Sequence, residues 1–104
     1  MVTPSTLAVL PHGAIEVYAG HWICIMRLPL ERGRVTHQYE VRTSEDQTCL
    51  ARIQWYGPWR TYVLIPKDGS IWENRCLRDV VTFLEQLKQE RRTSALWRKS
   101  RGET

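Results

Sequence analysis

Residues 75–92, RCLRDVVTFLEQLKQERR, carry the pattern that decides the fold of this chain. Apolar residues recur there at helical intervals, at i, i+3, i+4, i+7 and i+10: Leu77, Val80, Val81, Leu84 and Leu87. This stripe predicts an amphipathic helix over residues 75–92, with Asn74 as its N-cap. Because a lone helix of this length is barely stable in water, its apolar face must pack against another element.

The segment before the helix has strand-like patterns instead. Residues 14–28 are rich in β-branched and aromatic side chains, and Gly20-His21 interrupts them, which indicates two strands or one bent strand. Residues 35–43 alternate between apolar and polar side chains, which predicts a half-buried strand. Its apolar face would hold Val35, Tyr39, Val41 and a partly buried His37, and its polar face Thr36, Gln38, Glu40 and Arg42.

Two further alternating runs, residues 47–56 and 59–66, are separated by Gly57-Pro58. Alternation on both sides of a Gly-Pro break predicts a β-hairpin with its tip at residues 56–59. With the strands upstream and the helix downstream, we expect an α+β fold: an antiparallel β-meander of four to five strands with one C-terminal α-helix packed on one face.

The length of 104 residues fits one domain. Pro4 and Pro11 favour a loosely ordered N-terminal arm over residues 1–13; residues 14–92 form the single α+β domain, and residues 93–104 form a basic C-terminal tail. No apolar run reaches the ~18–20 residues of a membrane span, and no secretory signal pattern is present. We therefore expect a protein that does not enter a membrane and acts in the cytoplasm.

Nothing in the sequence predicts catalysis or a cofactor. The cysteines and histidines lack the short spacings of a zinc site: Cys24, Cys49, Cys76, His12, His21 and His37. Glycine-rich phosphate loops are absent, and no nucleophile, base and acid fall at a recognisable catalytic spacing. We expect a protein that is not an enzyme and holds no metal or cofactor, with its cysteines as buried thiols.

One candidate binding surface is the hairpin at residues 52–62, RIQWYGPWRTY, which contains four aromatic residues and two arginines. Strict alternation would place on one face, opposite Trp55 and Trp59, the side chains of Arg52, Tyr56, Arg60 and Tyr62. Such a face suits unpaired nucleotides, because bases stack on aromatic rings while guanidinium groups neutralise phosphates. The two tryptophans have two interpretations, core residues beneath the helix or contact residues for a ligand.

The basic tail is the second candidate surface. Residues 91–101 contain no acidic residue, one tryptophan and five basic residues: Arg91, Arg92, Trp97, Arg98, Lys99 and Arg101. In the whole chain arginine outnumbers lysine by twelve to three, and the formal net charge is +4. Arginine-rich segments release counterions from phosphate backbones, which favours a polyanionic partner. Codon bias in a GC-rich genome is an equal alternative explanation for arginine in place of lysine. The alternative is a solvated terminus with Trp97 folded back onto the sheet.

The stretch WYGPWR at residues 55–60, followed by Tyr62, Pro66, Cys76-Leu77 and Phe83-Leu84, resembles a pattern shared by small uncharacterised proteins of bacteriophages and prophages. The resemblance covers about residues 51–87. It implies a phage context, in the cytoplasm of a host cell, and a protein that acts by binding nucleic acid or a host or defence protein.

These observations predict a small non-enzymatic binding protein of phage type that contacts nucleic acid, preferably single-stranded, through the arginine-aromatic face and the basic tail. The predicted contact residues are Arg52, Tyr56, Trp59, Arg60, Tyr62, Arg91, Arg92, Trp97, Arg98, Lys99 and Arg101. The alternative is a protein that binds a host or defence protein, as an inhibitor or adaptor, through the same patch, since Trp, Tyr and Arg dominate protein interfaces. An open sheet edge also allows a homodimer.

Overall fold

The computed structural model describes the backbone of residues 13–100 and the side chains of residues 13–93. Within that range, five strands form one antiparallel sheet in chain order: β1 (Ile15–Ala19), β2 (Ile23–Arg27), β3 (Tyr39–Thr43), β4 (Cys49–Tyr56) and β5 (Thr61–Pro66). One long helix, α1 (Asn74–Ser100), follows the sheet. The predicted α+β fold, an antiparallel meander with a C-terminal helix, is confirmed.

The hydrophobic core lies between one face of the sheet and helix α1. The sheet contributes its most deeply buried side chains, all 1% exposed or less: Ile23, Ile25, Val41, Ala51 and Ile53. The helix contributes a stripe that differs from the predicted one: Cys76, Val80, Phe83 and Leu87. Leu77 and Val81 are half exposed, because the ring of Phe83 takes the central position against the sheet. That ring lies edge-on to Tyr39, with ring centroids 5.1 Å apart.

The helix begins one residue earlier than predicted, and its cap is Glu73. The Glu73 carboxylate accepts a hydrogen bond from the backbone N–H of Cys76 at 2.7 Å, and its carbonyl accepts one from Leu77 at 3.0 Å. The predicted cap, Asn74, is already inside the helix. A glutamate therefore satisfies one of the backbone donors that every helix N-terminus leaves without an intrahelical partner.

Asp79, near the start of the helix, accepts hydrogen bonds from β1 and from the turn between β1 and β2. Its carboxylate accepts hydrogen bonds from the hydroxyl of Tyr18 at 3.1 Å and from the backbone N–H of His21 at 3.0 Å. Gly20 permits this approach: a Cβ there would lie 2.7 Å from the carboxyl carbon of Asp79 and closer still to one of its oxygens. The helix is thus held at a defined position against the sheet.

Strand β3 is shorter than predicted and is buried on both faces. The prediction placed its start at Val35, but that residue is 94% exposed and the strand begins at Tyr39. His37 is half-buried with its Nδ1 3.0 Å from the carbonyl oxygen of Leu28, which confirms the predicted imidazole environment. The predicted water-facing side is wrong for three residues, since the structure buries Gln38, Glu40 and Arg42.

These buried polar groups satisfy one another on the sheet face away from the helix. Glu40 accepts hydrogen bonds from the Arg42 guanidinium, including one from Nε at 2.9 Å, and from Arg52 Nη2 at 3.0 Å. Arg42 Nη1 also donates to the backbone oxygen of Gln47 at 2.6 Å. Among the described residues, no buried side-chain nitrogen or oxygen lacks a partner. The network makes burial of this charged strand face tolerable, because paired ions avoid the full cost of desolvation.

The helix also extends further than predicted at its other end. The expected tail starts at residue 93, but the backbone stays helical to Ser100. The expected arm over residues 1–13 lies outside the described residues except for Gly13, and so do residues 101–104. No helix in the described part of the chain is long and apolar enough to cross a membrane.

Candidate functional site

A cleft of about 610 Å³ separates the tip of the β4–β5 hairpin from the later turns of helix α1. It combines aromatic rings from the hairpin with charged side chains from the helix. Its lining consists of Trp55, Trp59, Arg60, Thr61, Tyr62, Leu84, Glu85, Lys88, Arg91 and Arg92.

The shape of the hairpin tip sets which side chains reach the cleft. Gly57–Trp59 forms a single 3₁₀ turn with Pro58 near its start, a position where the missing N–H costs no hydrogen bond. Arg60 ends the turn in the left-handed conformation, with φ 54°, and its N–H donates to the carbonyl of Gly57 at 3.0 Å. A non-glycine residue in this conformation costs roughly 1 kcal/mol. The turn leaves the ring of Trp59 72% exposed beside the cleft.

The turn also corrects the predicted division of the hairpin into two faces. Four residues, 57–60, separate the two strands. An odd-numbered residue of β4 therefore pairs with an even-numbered residue of β5, and Trp55 stands opposite Tyr62. Cross-strand partners share a face, and both of these rings point to the helix side, with centroids 5.4 Å apart. Strict alternation had predicted that Tyr62 shares a face with Arg52 and Tyr56. This prediction is wrong, because Tyr62 lies on the opposite face.

Trp55 and Tyr62 form the half-buried floor of the cleft. The guanidinium of Arg91 lies over the Trp55 ring, 4.0 Å from its centroid, a cation–π contact worth about 0.5–1 kcal/mol near the surface. Burial raises the pKa of Tyr62 above its ordinary value, although the positive charge of Arg91 opposes the shift. The floor is thus a neutral aromatic pair with a cation stacked on one ring.

The rim of the cleft is strongly basic. Arg60 comes from the hairpin tip, while Lys88, Arg91 and Arg92 come from the helix, and Glu85 is the only acidic lining residue. Among the ion pairs of the described side chains, none involves any of these four cations. Four cations close to exposed aromatic surface make the cleft suited to an anionic ligand that carries a flat ring.

Two predicted contact residues lie on the other sheet face. Arg52 is held there by Glu40 and by Gln38, whose Oε1 accepts a hydrogen bond from Arg52 Nη1 at 3.1 Å. Tyr56 also belongs to that face, and its ring meets the ring of Trp59 edge-on at 5.2 Å. The single predicted surface is therefore divided, with Arg52 and Tyr56 outside the cleft.

The structure brings five of the predicted residues together in the cleft: Trp59, Arg60, Tyr62, Arg91 and Arg92. For Trp97, Arg98 and Lys99 the helical backbone is described but the side chains are not, and Arg101 lies outside the described residues. The sequence left Trp55 open as a core or contact residue, and four other lining residues were not predicted: Thr61, Leu84, Glu85 and Lys88. The three on the helix could have been found. Their spacing was a usable signal, because residues 84, 85, 88, 91 and 92 recur at the intervals of one helical face.

No metal site emerges within the described part of the chain, where no three His, Cys, Asp or Glu side chains come together. The three cysteines are free thiols, with Cys24 and Cys76 buried and Cys49 half-buried. Burial raises the pKa of Cys24 and of Cys76, which keeps these thiols protonated and poorly nucleophilic at neutral pH.

Comparison with known proteins gives one informative similarity. No model of a protein family matches this chain, and no solved structure does. The chain is 30% identical over 60 residues to an uncharacterized 9.3 kDa protein of Acholeplasma phage L2, in an alignment that covers 58% of this chain and 77% of that protein. The chain therefore belongs to the family of this small phage protein.

Proposed function

We propose that this protein binds single-stranded nucleic acid in the cleft between the β4–β5 hairpin and helix α1, and that it catalyses no reaction. The single observation that carries the proposal is the composition of the cleft: three aromatic rings with four cations around them and one acid. As a member of a small phage family, the protein would act in the cytoplasm of the host cell.

The aromatic rings supply the contacts to the bases. Trp59 is 72% exposed at the tip of the hairpin, so one face of its ring is accessible to a base. Stacking of a base on an aromatic side chain contributes about 1–3 kcal/mol and requires that the base be unpaired. A duplex, whose bases are already stacked on one another, would lose this contact.

The cations supply the contacts to the backbone. Lys88 and Arg92 are exposed on the helix, one turn apart, and Arg60 faces them from the hairpin tip. A strand laid along the cleft would place its phosphates between these groups while its bases meet the rings. The cleft volume of about 610 Å³ falls in the usual range for sites that enclose a ligand of small-molecule size, here a short stretch of nucleotides.

The proposal is tested by fluorescence anisotropy with a labelled oligothymidylate and its duplex with oligoadenylate, using the full chain and two variants. Trp59→Ala removes the exposed ring of the cleft. Trp22→Ala is the matched control, because Trp22 is also exposed, at 55%, and does not line the cleft. We expect Trp59→Ala to weaken binding of the single strand about 5- to 150-fold, the equivalent of one lost stacking contact, and Trp22→Ala to leave it unchanged.

Two outcomes contradict the proposal. One is the absence of binding to either oligonucleotide at low salt, which would leave a protein partner as the ligand of the cleft. The other is equal loss of binding in the two tryptophan variants, which would show that the cleft is not the contact surface.

A further inference from the structure

Glu85 is the one feature of the cleft that a purely phosphate-binding site does not explain. A carboxylate beside four cations weakens the attraction for phosphate. Its side chain is exposed on the helix, one turn before Lys88 and two turns before Arg92. No lysine or arginine in the described ion pairs neutralises it. Its carboxylate oxygens are therefore open to hydrogen-bond donors of a ligand.

The position of Glu85 favours contact with a base edge over contact with the backbone. Three of the cations come from residues 88–92 of the helix and the fourth is Arg60, whereas Glu85 lines the same cleft from one turn earlier, next to Leu84. A phosphate avoids this end of the cleft because of charge repulsion. A base stacked on a ring lies in a plane parallel to that ring and leaves its edge exposed, so that a carboxylate beside the stack can accept hydrogen bonds from it.

The chemistry of a carboxylate selects among the four bases. An ionised carboxylate accepts hydrogen bonds at two oxygens and donates none. The Watson–Crick edge of guanine carries two neighbouring donors, the N1–H and the 2-amino group. Adenine and cytosine place a ring-nitrogen acceptor beside their amino group, and thymine and uracil place their single N–H between two carbonyl oxygens. Only guanine offers a carboxylate two parallel donors.

We infer that Glu85 recognises the Watson–Crick edge of an unpaired guanine, so that the cleft binds guanine-containing single strands in preference to oligothymidylate. The inference rests on the proposed function and adds a base preference to it. In a duplex this edge is already occupied by cytosine, so the same contact also disfavours double-stranded nucleic acid.

The test compares three short oligonucleotides: oligothymidylate, the same strand with one central guanosine, and the same strand with inosine in that place, which lacks the 2-amino group. Each is titrated against the wild-type chain, Glu85→Gln and Glu90→Gln. Glu90 is the matched control, because it is exposed on the same helix and lines a separate surface with Gln86, Gln89 and Thr93. Both variants remove one negative charge, but only Glu85 lines the cleft; the charge of Glu90 acts on the cleft only through Tyr62 at its floor.

We expect the wild type to prefer the guanosine strand over oligothymidylate by about 5- to 150-fold, the discrimination of one good bidentate pair, with inosine between them. Glu85→Gln should lose most of this preference while binding oligothymidylate at least as tightly as before, and Glu90→Gln should keep the preference. Equal wild-type affinity for oligothymidylate and the guanosine strand, or an undiminished preference in Glu85→Gln, overturns the inference and leaves the proposed function standing. Absence of wild-type binding to all three strands overturns both.

Discussion

The salt dependence of binding measures how many of the cleft cations meet phosphates. Four cationic side chains line the cleft, and a single strand loses about 0.7 in the slope of log affinity against log salt for each phosphate neutralised. If each cation meets one phosphate, the slope is about −2.8, and affinity falls about 50-fold between 50 and 200 mM salt. Arg92→Gln removes one of the four charges. The expected slope is then about −2.1, with a fall of about 20-fold over the same range.

The assay is the anisotropy titration repeated at several salt concentrations, with Arg32→Gln as the matched control. Arg32 is exposed in the turn between β2 and β3, away from the cleft, and its loss changes the net charge of the protein by the same amount. We expect Arg32→Gln to keep the wild-type slope. Equal slopes in the wild type and Arg92→Gln would refute the assignment of Arg92 to a phosphate, and a wild-type slope near zero would refute phosphate binding in the cleft altogether.

Two further predictions concern the fold that holds the cleft. Gly20→Ala should lower the free energy of unfolding by about 1–3 kcal/mol in urea denaturation, because the added Cβ displaces Asp79 and breaks the hydrogen bonds that its carboxylate accepts. Gly57→Ala, where no neighbouring atom lies within 4 Å, should change it far less, and equal effects would contradict this reasoning. Burial raises the pKa of Tyr39 from its ordinary value near 10 to about 12, so the folded state holds this proton more tightly than the unfolded state. The contribution of Tyr39 to the free energy of unfolding should therefore be constant below pH 10 and fall as the pH rises toward 12. Tyr39→Phe should lose less stability than the wild type over that interval, as measured by urea denaturation at each pH.

The architecture was predictable because each element carries a local pattern. The helical period at residues 75–92 and the alternation on both sides of Gly57-Pro58 do not depend on the rest of the chain. What the pattern did not determine was the rotation of the helix about its axis. Leu77 and Phe83 are both apolar, and it is Phe83 that lies in the core, where its ring meets the rings of Tyr39 and Tyr18 edge-on.

The burial of the polar side of β3 could not be predicted from local sequence patterns. Alternation assigns Glu40 and Arg42 to water, because isolated charges are rarely buried. The structure buries them as a pair, with Arg52 of the adjacent strand as a third member. Residues that are 12 positions apart in the chain become partners only through the register of β3 and β4, in which Glu40 stands opposite Arg52. Sequence alternation alone does not specify that register.

The candidate site depends on the length of the hairpin turn, which is four residues, 57–60. With four residues, Trp55 and Tyr62 share the face that meets the helix, and the cations of the later helical turns come to lie beside them. With a turn one residue longer or shorter, the register would place one ring on each face, and Arg91 would meet only one side of a divided hairpin. The positive φ of Arg60 is what lets the turn close at this length, at a cost of roughly 1 kcal/mol. Arg60 therefore has two roles. Its left-handed backbone closes the turn that aligns the aromatic rings, and its guanidinium is one of the cations beside them.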